Sequence, residues 1–125
     1  MSERKVRRFG LVIKAKPNKI KQYQKLHSNN VLGVRKLLRK YHITNFSIFK
    51  VKITKTIILF GYFEYTGNSY KKDMLKMNKE PEIIKWLSIC DPCQIPLKGH
   101  ETWAEMVSIY SVSYTHLTLP TTPYV

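Results

Sequence analysis

From Arg8 onward apolar and polar residues alternate, with Phe9, Leu11, Ile13 and Ala15 on one parity and Gly10, Val12, Lys14 and Lys16 on the other. A period of two places these sets on opposite faces of a strand. Lys16-Pro17-Asn18 ends it, since proline fixes its own φ and brings no N–H to a ladder. The period then lengthens. Ile20, Tyr23, Leu26 and His27, followed by Val31, Val34, Leu37, Leu38 and Tyr41, recur at helical spacing. They predict one long helix, bent near Ser28-Asn29-Asn30, where short polar side chains compete for backbone hydrogen bonds. Asn45–Ile53 and Thr56–Tyr65 are rich in Ile, Phe, Val and Thr and read as strands. Thr54-Lys55 between them is short enough for a hairpin, although it lacks an Asn-Gly signal. After Thr66-Gly67-Asn68-Ser69, helical patterns cover about Ser69–Met77 and Glu82–Ile89. A loop with Pro92, Pro96 and Gly99 leads to a last strand, Trp103–Val112.

The order β-α-β-β-α-β is the ferredoxin-like arrangement of the α+β class, a four-stranded antiparallel sheet with helices on one face. The predicted strands are apolar on both parities, so the helix-free face calls for a cover. A second copy of the chain supplies it most simply, which predicts a homodimer.

A chain of 125 residues suits one domain with one modest core. The longest nearly unbroken apolar run, Ile57 to Phe63, is about a third of the roughly 20 residues of a membrane span. No leader pattern opens the chain, and the expectation is a soluble, cytoplasmic protein. The formal charge of +14 is lopsided, with 16 Lys/Arg and one acid in residues 1–55 against 6 and 7 in the remainder. Such an excess attracts phosphates and raises nucleic acid as a partner. However, 17 of the 22 cations are Lys among many Ile and Asn, the usage of solvated surface positions free to drift. Residues 1–112 read as the domain. The last thirteen residues, from Ser113, contain no Lys and are crowded with Thr and Pro; they read as translated adaptor sequence and as a poorly ordered tail.

Cys90 and Cys93 form a lone Cys-Asp-Pro-Cys that follows a helical pattern and precedes a loop. A redox pair belongs at a helix N-terminus after a strand, and zinc needs two further ligands where only His100 is near. The pair reads as ordinary buried or loop cysteines. Tyr23 and His27, four apart, share one helix face, where an imidazole can exchange a proton near neutrality and a phenol can orient a hydroxylated ligand.

Four blocks carry a family resemblance: Tyr23-Gln24-Lys25-Leu26-His27, Asn45-Phe46-Ser47-Ile48-Phe49, Trp86-Leu87-Ser88-Ile89-Cys90-Asp91-Pro92-Cys93-Gln94 and Trp103-Ala104-Glu105-Met106. In order and spacing they resemble the L-rhamnose mutarotase family, over roughly Lys5 to Val112. The resemblance implies a ferredoxin-like subunit pairing into a dimeric α/β barrel, a monosaccharide substrate, and anomer exchange that requires no cofactor or metal. It implies that His27 is the acid/base and Tyr23 a sugar contact, with Phe46, Trp86 and Leu87 lining the pocket. Two positions depart from the family pattern. Phe46 stands where the family has a second sugar-binding tyrosine, and Leu87 where it commonly has a second tryptophan.

The competing expectation is a nucleic-acid-binding domain of the same β-α-β-β-α-β order. Leu59-Phe60-Gly61-Tyr62-Phe63-Glu64-Tyr65 superficially resembles the aromatic third strand of RNA-recognition domains. Ile58 and Leu59 stand where that motif has a basic residue and a glycine, and Phe9 alone on the first strand cannot complete a stacking platform.

Overall fold

A computed structural model describes residues 6–28 and 33–112. The expectations for residues 113–125, and for Asn29-Asn30 within the bend, lie outside the described residues. Strand β1 (Arg7–Ala15) ends at a single 3-10 turn, Pro17–Lys19, that feeds helix α1 (Ile20–Ser28). Pro17 sits where a helix start leaves an N–H unpaired in any case, so its missing donor costs nothing. Helix α2 (Val34–Lys40) follows, then the hairpin β2 (Ile43–Ile53) and β3 (Thr56–Tyr65). Helices α3 (Tyr70–Met77) and α4 (Pro81–Cys90) precede the short strands β4 (Gln94–Ile95) and β5 (Ala104–Met106).

The long helix expected over the first helical pattern is two helices. Gly33, at φ 67°, has a left-handed backbone that a right-handed helix cannot run through, so α2 starts afresh at Val34. The hairpin forms as expected, and Thr54 itself adopts φ 59° in place of the missing glycine or asparagine.

The antiparallel sheet runs β2-β3-β1, and both short strands pair with the far edge of β1. β4 pairs with Lys14 and Ala15, while β5 pairs with Gly10, Leu11 and Val12. Together they fill the place expected for one fourth strand. The expected strand Trp103–Val112 is therefore ordered into the sheet only over Ala104–Met106. Beyond it Val107, Ile109 and Tyr110 are at least 80% exposed, because nothing among the described residues covers them.

Register assigns the faces. Phe9, Ile13 and Ala15 of β1 and Ile57, Leu59, Phe63 and Tyr65 of β3 are buried beneath the helices. One core cluster joins Ile13, Leu59, Tyr23, Cys90 and Cys93; the other joins Phe9, Ile43, Phe63 and Tyr65. On the opposite parity Val12, Ile58 and Phe60 are joined through β2 by Phe49, Val51 and Ile53, and Phe49 is 63% exposed.

Two close approaches fix where loops and walls can lie. A Cβ on Gly67 would collide with the Tyr65 ring and hydroxyl. That hydroxyl accepts from the Ser69 N–H and donates to Asp73, which locks the entry to α3. Gly61 lies directly under the Trp103 indole, 3.3 Å from where a Cβ would stand, and so gives Trp103 its seat above the sheet.

Candidate active site

All five residues singled out in the sequence, Tyr23, His27, Phe46, Trp86 and Leu87, line one cavity of about 450 Å³ between the helices and the inner face of the sheet. They come from three elements. Tyr23 and His27 lie one turn apart on α1, ring centroids 4.3 Å apart, and Trp86 of α4 turns its edge to the imidazole at 4.9 Å. Phe46 arrives by a bulge: between the pairs Thr44–Glu64 and Ser47–Tyr62, two residues of β2 oppose the single Phe63. Asn45 takes φ 50° there and donates from Nδ2 to Glu64 at 2.8 Å. The extra residue shifts side-chain parity, so Phe46 stacks on Phe63, 5.5 Å between centroids, on the helix side of the sheet. Leu87, 40% exposed, stands at the rim.

The imidazole is oriented by its own helix. His27 Nδ1 lies 2.8 Å from the Tyr23 carbonyl oxygen. A carbonyl only accepts, so Nδ1 carries the proton and donates, and Nε2 is left with its lone pair. Burial lowers the His27 pKa from the ordinary 6.5; the bond to the Tyr23 carbonyl opposes this in part, and the Arg35 cation adds a smaller lowering. At neutral pH the ring is a neutral base.

The Tyr23 hydroxyl accepts a hydrogen bond from Gln94 Nε2 at 2.9 Å, a buried pair joining α1 to β4. With an acceptor site so used, the hydroxyl proton is left for another partner. Burial raises the Tyr23 pKa well above its usual value, against the opposing bond from Gln94 and with help from Cys90, Cys93 and Asp91, so the phenol stays protonated. Gln94, Arg35, Asp91 and Trp103 also bear on this cavity. Gln94 closes the Asp91-Pro92-Cys93-Gln94 string, which was its sequence signal. Arg35 carries no periodic signal; its Nη2 reaches the His27 carbonyl oxygen at 2.9 Å across the helix break.

The two cysteines are buried thiols, as their context suggested. Cys93 Sγ leans on the Ile89 carbonyl at 3.7 Å, and burial pushes the Cys90 thiol up to about 12, which keeps Cys90 a thiol at neutral pH. Among the described residues no group of three or more His, Cys, Asp or Glu is placed to hold a metal ion. No helix among them is long and apolar enough to cross a membrane.

The family model for L-rhamnose mutarotase matches residues 8–112. No curated protein matches the chain. Among solved structures, a Nitrosomonas europaea protein described as an antibiotic biosynthesis monooxygenase superposes with a TM-score of 0.54 at 10% identity. That match covers 90% of this chain and 99% of the other. A conserved protein from Methanosarcina mazei gives 0.50 at 12% identity, over 79% and 90% of the two chains. At such identities these neighbours establish the shared ferredoxin-like fold alone. None of these matches supports the nucleic-acid alternative.

Proposed function

The chain belongs to the L-rhamnose mutarotase family, and on that premise we propose that it interconverts the α and β anomers of L-rhamnose or a related 6-deoxy sugar by acid/base ring opening. His27 is the catalytic acid/base in this reading. The observation that carries it is the Nδ1–H bond to the Tyr23 carbonyl, which commits Nε2 to one role on a neutral ring at the cavity wall.

The chemistry follows from those groups. Nε2 takes the proton from the anomeric hydroxyl, O1, as the bond from C1 to the ring oxygen breaks and C1 becomes an aldehyde. The imidazolium returns that proton to the ring oxygen, which was bonded to the same carbon and so lies within its reach. Rotation about C1–C2 and closure on the other aldehyde face give the second anomer, and the proton count is unchanged. Tyr23 donates its hydroxyl proton to a sugar oxygen, while Phe46, Trp86, Leu87 and Trp103 provide apolar walls for the ring carbons. A positioned acid/base group supplies roughly 10²–10⁴-fold, enough to matter for a reaction that already runs in water.

The functional domain is residues 1–112, an assignment supported by the family match reaching 112. The working unit in this proposal is a homodimer. Its support is the helix-free sheet face, where Phe49, Val51, Ile53, Phe60 and Met106 are each at least 36% exposed. A contiguous apolar face of this kind is what a second sheet covers.

Polarimetry tests the activity directly. Freshly dissolved crystalline L-rhamnose relaxes to its equilibrium rotation faster with the protein than in buffer, and His27→Ala removes the gain. Relaxation at the buffer rate with folded protein contradicts the proposal.

A further inference from the structure

Among the described residues Gln94 is the sole amide or charged side chain buried in the core, with 8% of its surface exposed, and it lines the cavity beside Tyr23. Its carboxamide is only half used. Nε2 donates to the Tyr23 hydroxyl at 2.9 Å, and among the described residues nothing bonds Oε1. We propose that Gln94 is a direct sugar contact that sets specificity: Oε1 accepts from a sugar hydroxyl other than the anomeric one, the same hydroxyl that receives the Tyr23 proton. This contact rests on the sugar site proposed above and deepens it.

The fold holds the amide in place. Gln94 faces Ala15 across the pairing of β4 with β1, and cross-strand partners point to the same side of a sheet. Ala15 is buried beneath the helices, so the Gln94 side chain rises on that side, whereas its neighbour Ile95, on the other parity, is 39% exposed. The Lys16 N–H donates to the Cys93 carbonyl oxygen at 2.9 Å and anchors the chain as it leaves the Asp91–Cys93 turn. A carboxamide left half-paired in a core is less favourable than an apolar side chain of like size. A ligand that supplies the missing donor removes that cost.

The chemistry of the pair selects the group it binds. Tyr23 uses an acceptor site on Gln94 and keeps its proton to give, while Oε1 can only accept. A group that satisfies both must accept and donate at once, as a hydroxyl does; a ring oxygen, a methyl ether or a methyl group cannot. The anomeric hydroxyl is set aside because its proton goes to His27 Nε2. The Gln94 N–H then gives to the phenol, the phenol to the sugar and the sugar to Oε1, so that each donor in the set has an acceptor.

The test uses L-rhamnose and three analogues in which fluorine, an atom that cannot donate, replaces the hydroxyl on C2, C3 or C4. Dissociation constants from NMR titration and anomer exchange from saturation transfer are measured with the full chain as wild type and Gln94→Met. Circular dichroism checks that the variant is folded. The expected result is that one analogue binds wild type about tenfold or more weakly than L-rhamnose, and that this ratio shrinks to within about twofold in Gln94→Met. A packing role alone weakens all four sugars alike in the variant. A ratio unchanged by Gln94→Met, or equal binding of all four sugars by wild type, overturns the contact, and accelerated exchange of L-rhamnose in the same samples leaves mutarotation standing. A ratio that shrinks as expected without accelerated exchange keeps the contact and overturns mutarotation. Neither binding nor acceleration of any sugar overturns both. If Gln94→Met does not fold, the Gln94 side-chain amide signal of isotope-labelled wild type decides: it shifts with L-rhamnose and not with the weakly bound analogue at saturation, and equal shifts with both overturn the contact.

Discussion

His27 Nδ1 donates to the carbonyl oxygen of Tyr23 at 2.8 Å, one helical turn back on α1. The bond holds the ring against its own helix and decides which nitrogen can act.

The first consequence concerns pH. Burial holds the His27 pKa below 6.5 against the Tyr23 carbonyl, with a small contribution from Arg35, and the base form is the active one at the start of the cycle. Anomer exchange should rise with pH through an inflection below 6.5 and level off towards neutrality. Arg35→Gln removes a nearby cation and moves the inflection upward, as a pH–rate profile reads directly. Stability follows the same sign. The folded pKa is depressed, so the His27 contribution is complete above 6.5 and is lost as pH falls through the folded value. His27→Asn should remove that part of the acid sensitivity, as measured by denaturant midpoints across pH.

The buried bond from Gln94 to the Tyr23 hydroxyl makes a second prediction. Tyr23→Phe strands a buried amide and should destabilise the protein by about 1–3 kcal/mol. Adding Gln94→Leu removes the stranded group and should recover part of that loss, whereas activity stays low in both. Urea unfolding of the two single variants and the double variant provides the cycle.

Phe46 stacks on Phe63 with 43% of its surface exposed, at the position where the family resemblance implies a tyrosine. Phe46→Tyr adds a hydroxyl at the cavity without displacing the stack. L-rhamnose should then bind several-fold to about tenfold more tightly, the gain of one hydrogen bond of about 1 kcal/mol. Titration monitored by NMR measures it, and unchanged affinity would show that the ring does not meet the sugar.

The uncovered sheet face predicts the assembly. Phe49→Glu places a charge among Val51, Phe60 and Met106, all exposed apolar residues, and should convert dimer to monomer or weaken association strongly. Light scattering on a sizing column separates the outcomes. A wild-type monomer at the concentrations of the activity assay would contradict the dimer.

What the sequence disclosed depended on how locally each feature was encoded. The parity of Phe9, Ile13 and Ala15, and the β-branched runs of β2 and β3, read correctly because strand alternation is a period-two property of neighbours. The fresh start of α2 after Gly33 was not legible because the apolar period of Val31 and Val34 runs through that glycine, while its positive φ leaves no trace in hydropathy. The split fourth strand was missed because two residues, Gln94 and Ile95, are too few to show a period, and the apolar stretch after Met106 looked like a strand without having a partner edge. In the site, Tyr23 and His27 were legible at four-residue spacing. Phe46, Trp86 and Leu87 were legible by resemblance, and the bulge that brings Phe46 inward was not. Gln94 and Arg35 act across 71 and 8 residues of sequence respectively, and only the fold brings them to their partners.

The central claim is that His27 opens the sugar ring. It is tested most directly by proton NMR saturation transfer between the α and β anomers of L-rhamnose, with wild type and His27→Asn side by side at neutral pH. The account predicts transfer above the buffer rate with wild type and a fall of roughly 10²–10⁴-fold in the added rate for the variant. Equal acceleration by both proteins, with both folded, would contradict it.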